Sequence, residues 1–131
     1  AELEDKTDSH DQIWEESWTE CLLDRAWQKL EHHQYTTDKC YYHTILKLAA
    51  ENPQASSSEM AESVSKQLPQ PISAESYRKQ LSRARRKFAG FLAVEVQQTL
   101  EAPTEEELQE EIASLGLKRY IDRFDAFPEL E

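Results

Sequence analysis

Six basic side chains fall within ten residues: Arg78, Lys79, Arg83, Arg85, Arg86 and Lys87. Tyr77, Leu81, Ala84, Phe88, Phe91 and Leu92 recur among them at helical spacing, so one helix can pack along one side and present cations along the other. The chemistry such a face performs is anion binding. Cations that neutralise phosphates release counterions from a nucleic acid, and the planar fork of arginine can also pair with the edge of guanine. On a helix that enters the major groove, the N-terminal residues reach base edges and later ones meet the backbone. That order places Ser76, Lys79, Gln80 and Arg83 nearest the bases and Arg86 and Lys87 nearest the phosphates.

Other chemistry has less to stand on. Cys40 and His43 share one helix face, with His32 and His33 just upstream, and the four could suit zinc. The two histidines are adjacent, however, so they point apart, and near a helix C-terminus they are favoured as surface residues. No metal and no cofactor is therefore expected. Cys21 and Cys40 form no disulfide framework and read as reduced thiols. There is no glycine-rich phosphate loop, nucleophile elbow or metalloprotease helix. The carboxylates sit in caps and solvated runs, not as isolated acids in apolar surroundings. Binding is expected, not catalysis, and the chain is not read as an enzyme.

Stepping outward from the basic segment, Ser73 or a neighbour caps its helix, and Pro69-Gln70-Pro71 precedes it. Before that, Ser56 lies three residues ahead of Glu59, a capping box opening a short helix with Met60, Ala61, Val64 and Leu68 on one face. A short capped helix, a proline-containing turn and a longer basic helix make a helix-turn-helix. Upstream, residues 1–12 are acidic with a single apolar residue and read as a flexible acidic arm. Residues 13–34 read as an aromatic N-terminal helix carrying Trp14, Trp18 and Trp27, and a second helix is expected over about Thr37–Ala50. Downstream, residues 101–131 form an acidic helical extension. Thr104 and Glu107 make a second capping box, Gly116 is placed for a left-handed helix stop, and Tyr120, Ile121, Phe124 and Phe127 suggest a last short helix.

The fold class is thus all-α: a helix-turn-helix core of about four helices over residues 36–100, with additional acidic helices at both ends. The presence of only two glycines and five prolines in 131 residues supports this, because sandwiches and barrels need many tight turns. The net charge of −11 would argue against nucleic acid were it evenly spread. It is not. Residues 1–34 and 101–131 each hold ten acids and three bases, whereas residues 73–100 hold two acids and six bases. No apolar stretch is long enough for a membrane span and no signal peptide opens the chain, which reads as cytoplasmic.

The stretch Tyr77-Arg78-Lys79-Gln80-Leu81-Ser82-Arg83-Ala84-Arg85-Arg86-Lys87-Phe88 resembles the recognition helix of region four in extracytoplasmic-function sigma factors. Ser58-Glu59-Met60-Ala61 is similar to the Glu-Ile-Ala signature of that family's scaffold helix. The likeness covers roughly residues 36–99. It implies reading of the promoter −35 element by Arg78, Lys79, Ser82, Arg83 and Arg86, and docking on the β flap of RNA polymerase. An anti-sigma factor is a further partner of some such proteins. Two departures stand out. Ser65–Pro71 add residues to the turn, and region two has no counterpart here, so the resemblance implies the C-terminal part of a longer factor.

Two further expectations concern the acidic ends. Glu105, Glu106, Glu107, Glu110 and Glu111 could compete with DNA for the basic helix, as an autoinhibitory extension. The alternative function is an all-helical protein–protein or regulatory module, whose aromatic helix binds a partner while the basic helix is merely solvated.

Overall fold

The computed structural model describes residues 2–117, with side chains from Ser17 onward. Over this span the chain forms five helices and no strand: α1 (Glu2–Thr36), α2 (Tyr42–Glu51), α3 (Ser57–Ser65), α4 (Ala74–Gln97) and α5 (Glu105–Ser114). The expected last helix around Tyr120–Phe127 lies outside the described residues.

The first proline of the chain is Pro53 and the first glycine Gly90, so nothing interrupts the long α1. Its backbone is helical from Glu2, through the stretch whose composition suggests an unordered arm. Extending a formed helix costs far less than nucleating one, so an acidic stretch without breakers can continue the helix that follows it. α1 ends where the Thr36 hydroxyl donates back to the His32 carbonyl at 2.9 Å, and Lys39 turns the chain with a left-handed φ of 57°. This corner delays α2 to Tyr42, five residues later than the sequence suggests. Tyr41, at its N-cap, makes no side-chain cap. Gln34 of α1 caps it from outside: its Oε1 accepts the Thr44 backbone N–H at 3.0 Å, and its Nε2 donates to the Thr44 hydroxyl at 3.0 Å.

The later caps follow their local signals. Ser56 accepts the Glu59 N–H, though the Glu59 carboxylate answers the Ser56 hydroxyl and not its backbone amide. Ser73 accepts the Ser76 N–H at 3.0 Å. Thr104 and Glu107 form a full capping box. Gly116 has a φ of 73°, and the Leu117 N–H reaches back to the Ile112 carbonyl, the paired bonds of a Schellman stop.

α4 is the hub, touching every other helix. Its N-terminal Tyr77 joins Ile45 of α2 and Met60, Ala61 and Val64 of α3 in a small core that binds the helix-turn-helix together. Further along, Ala84, Phe88, Ala89, Leu92, Ala93 and Val96 meet Leu22, Ala26 and Leu30 of α1, Leu46 of α2, and Leu108 and Ile112 of α5 in the main core. The alanines of α4 and α1 leave room for close approach of the two backbones, so a larger side chain at Ala89 or Ala93 would overpack.

Among the described residues one charge is inside. Glu95, 4% exposed, takes Lys29 of α1 at 2.9 Å and Arg25 at 3.9 Å. The two cations keep contact with water, and the carboxylate does not, so the ends of this bridge are unequal. Removing Lys29 strands a buried anion; removing the Glu95 charge frees two cations that can turn outward. Lys29→Met is expected to lower stability by about 2–3 kcal/mol, below the full cost of breaking a buried pair because Arg25 remains, and Glu95→Gln by about 1 kcal/mol. Denaturant unfolding of the two variants checks the order. Equal losses would contradict this account of the bridge.

Candidate nucleic-acid interface

α4 carries every one of the side chains that the sequence singles out. Arg78, Lys79, Ser82, Arg83, Arg86 and Lys87 are exposed, and Ser76 and Gln80 half-buried. Their exposed face is bordered by a groove on each flank. Ser76, Lys79, Gln80 and Arg83, spaced by three and four residues, line one flank. There they face the α1–α2 corner and the α3–α4 turn across a groove of about 650 Å³. Arg78 and Ser82 lie on the other flank with Arg85, facing α2 and α3 across a second groove of about 640 Å³. The set predicted from the resemblance thus spans the outer side of the helix, with Lys79 and Arg83 at the edge of one groove and Arg78 and Ser82 at the edge of the other. Lys87 lies over Phe91 one turn along α4, its Nζ 5.3 Å from the ring centre, and near enough to His33 of α1 to act on its charge.

Charge pairing leaves much of this surface unneutralised. Lys79 meets Glu75 one turn back at 3.4 Å, with both heads exposed and the pair accordingly weak. Arg78, Arg83 and Arg86 have no carboxylate partner among the described residues. None of Glu105, Glu106, Glu107, Glu110 and Glu111 pairs with a base among those residues either. α5 is held by apolar contacts, with Leu108 and Ile112 in the main core, and the autoinhibitory expectation finds no contact there to rest on.

The turn that sets α4 against α3 runs from Lys66 to Ser73, longer than a tight helix-turn-helix allows, as the extra Ser65–Pro71 suggest. It is closed by its own bonds. The Ile72 N–H donates to the Ser65 hydroxyl at 3.0 Å, and Leu68 and Ile72 pack on the small core. Beneath α4, burial pushes the Tyr77 phenol above its ordinary range, against the opposing pull of Arg85.

The histidines do not gather into a metal site. Among the described residues no three His, Cys, Asp or Glu side chains are grouped to hold an ion. His43 lies 3.5 Å from Glu31 and edge-on to Trp27, while His33 stacks on Tyr42. Burial lowers both rings below the ordinary histidine value, the neighbouring Lys87 adding to the effect at His33 and Glu31 opposing it at His43, which disfavours the cationic form of each.

Some residues of the grooves carry no sequence signal of their own. Asp38 and Lys39 stand far from the basic run in sequence yet line the first groove. The left-handed corner brings Lys39 there, and no motif announces it. No protein-family model, no curated protein and no solved structure matches the chain.

Proposed function

We propose that the chain recognises duplex DNA through α4, as the promoter-reading part of a sigma-like transcription initiation factor that works with RNA polymerase. The observation that carries this reading is the state of α4. Its inner side is fixed in two apolar cores, and its outer side exposes Arg78, Lys79, Arg83, Arg86 and Lys87, of which Arg78, Arg83 and Arg86 have no carboxylate partner among the described residues. The resemblance of Leu81-Ser82-Arg83-Ala84-Arg85 to the recognition helix of sigma region four narrows the reading from duplex DNA in general to the −35 element. The mechanism is non-catalytic. Ser76, Lys79, Gln80 and Arg83 reach base edges from the N-terminal half of the helix, and Arg86, Lys87 and Arg78 hold phosphates on either side.

The second groove favours a protein partner as well. Leu46, Ala49, Met60 and Leu81 give it an apolar lining with Arg78 and Arg85 among them, the chemistry that suits an apolar segment carrying acids. It lies on the flank away from Ser76, Lys79 and Arg83, so a polymerase contact there leaves that part of the DNA surface free. An all-helical protein-binding module without DNA contact is the competing reading.

Salt dependence separates them. With about five phosphates neutralised, the affinity for a −35-type duplex should fall with a log–log slope of about −4 to −5. A protein-binding module would show weak duplex association with no such slope.

A further inference from the structure

The first groove has a second wall that the basic run does not supply. Across from Ser76, Lys79 and Arg83 stands the α1–α2 corner, with Thr37, Asp38, Lys39, Tyr41 and Tyr42. The corner is fixed at both ends. The Cys40 N–H bonds to the Thr37 carbonyl, and the Gln34 side chain ties α1 to the first turn of α2. Lys39 sits at its apex in the left-handed conformation and is exposed. Cations therefore approach the groove from two elements, and among the described residues that line it the one carboxylate is Asp38, which has no ion-pair partner among those residues, while Lys79 is engaged by Glu75 one turn back. The Tyr41, Tyr42, Leu68 and Ile72 side chains add apolar patches between the polar ones.

We propose that this groove receives one sugar–phosphate strand of the duplex, with Lys39 contacting a phosphate from the side opposite α4. The proposal rests on the DNA-reading assignment of α4 and extends it, making the interface a two-walled cleft in place of a single inserted helix. Lys39 on one wall and the stems of Lys79 and Arg83 on the other flank the path of one strand, Lys79 and Arg83 reaching past it to the base edges, and the Tyr41, Tyr42, Leu68 and Ile72 patches match the deoxyribose faces. A lone helix face would grip phosphates from one side only. Asp38 acts against the bound strand, so the corner contains one group that strengthens binding and one that weakens it.

That opposition gives a test with two signs. Duplex affinity is measured across about 0.05–0.3 M salt for the full chain, for Lys39→Gln and Lys39→Asn, and for Asp38→Asn. Asparagine tolerates the left-handed backbone, so agreement of the two Lys39 variants separates loss of charge from strain at the corner. Loss of Lys39 is expected to weaken binding about 5- to 10-fold at about 0.1 M salt and to make the slope shallower by about 1, the signature of one lost phosphate contact. Asp38→Asn is expected to tighten binding by a few-fold. If both Lys39 variants keep the parent slope while Arg83→Glu still abolishes binding, the second wall is overturned and α4 stands alone. If Arg83→Glu also leaves the affinity unchanged, the DNA-reading assignment falls, and this proposal with it.

Discussion

Removing residues 101–131 is expected to unfold the helical body, not to release a more avid DNA reader. Leu108, Ile112 and Leu117 are at most 1% exposed and belong to the main core. Burial of such side chains contributes about 1.5–3 kcal/mol each, on the order of 5–9 kcal/mol together. The stability of a domain this size is about 5–15 kcal/mol, so the loss is comparable with the whole. Truncation also uncovers the core side chains that α5 and Leu117 cover. Circular dichroism of the truncated chain should show helix content far below that of the full chain and no cooperative thermal transition. A truncated chain that melts cooperatively near the parent temperature would show that the acidic extension is a detachable arm after all. The acids of α5 stay on the outside of this packing, with Glu105, Glu106, Glu107 and Glu110 all exposed. Their effect on DNA is better tested by Glu→Gln changes that leave the helix in place.

Reversing two charges on α4 should have the largest effect on binding. Arg83 and Arg86 are exposed, lie outside both cores and have no ion pair among the described residues, so Arg83→Glu combined with Arg86→Glu removes little that the fold needs. Surface changes of this kind commonly alter stability by less than about 0.5 kcal/mol. For DNA the change is of another size. Each reversal deletes one cation and adds one anion opposite a phosphate, so four units of charge are altered across the pair. At about 0.1 M salt this corresponds to roughly a thousandfold loss of duplex affinity. Anisotropy titration of a labelled duplex reads the loss, and thermal melting of the same sample shows whether the fold is intact. An affinity within a few-fold of the parent, in a variant that melts normally, would support the protein-binding module.

What the sequence could and could not reveal follows from the range of each signal. Ser56, Ser73, Thr104 and Gly116 announce their roles within three or four residues, because a cap is a local hydrogen bond, and each occupies its expected place. The Glu59 carboxylate alone departs in detail, bonding to a hydroxyl in place of an amide. The apolar stripe of α4 is equally legible, since Tyr77, Ala84, Phe88 and Leu92 keep helical spacing. Glu95 carried a readable signal. It lies three residues after Leu92 and seven after Phe88, continuing that stripe, where only an ion pair makes a carboxylate tolerable. Its partners Arg25 and Lys29 sit one turn apart on a helix about seventy residues away, and nothing in either sequence links them.

The same limit applies to the interface. The composition of the basic run predicts a cationic surface, but not the groove on each of its flanks, which depends on where α2 and α3 lie against α4. Lys39 reaches the first groove only because a non-glycine residue adopts a positive φ and Gln34 caps the next helix. Residues 2–12, read from composition as an acidic arm, continue α1 as helix. Acidic, apolar-poor sequence argues against independent folding, yet as the continuation of a helix without glycine or proline its backbone remains helical.

The central claim is that the outer side of the α4 segment Ser76–Lys87 meets a phosphate backbone. Backbone amide spectra of the isotope-labelled chain, recorded as an unlabelled −35-type duplex is added, test it most directly. The account predicts that the largest shift changes fall on Ser76–Lys87, with a smaller group at the Thr37–Tyr42 corner, and that α5 amides stay still. Shift changes confined to α1 or α5, or no changes with duplex in excess, would contradict it.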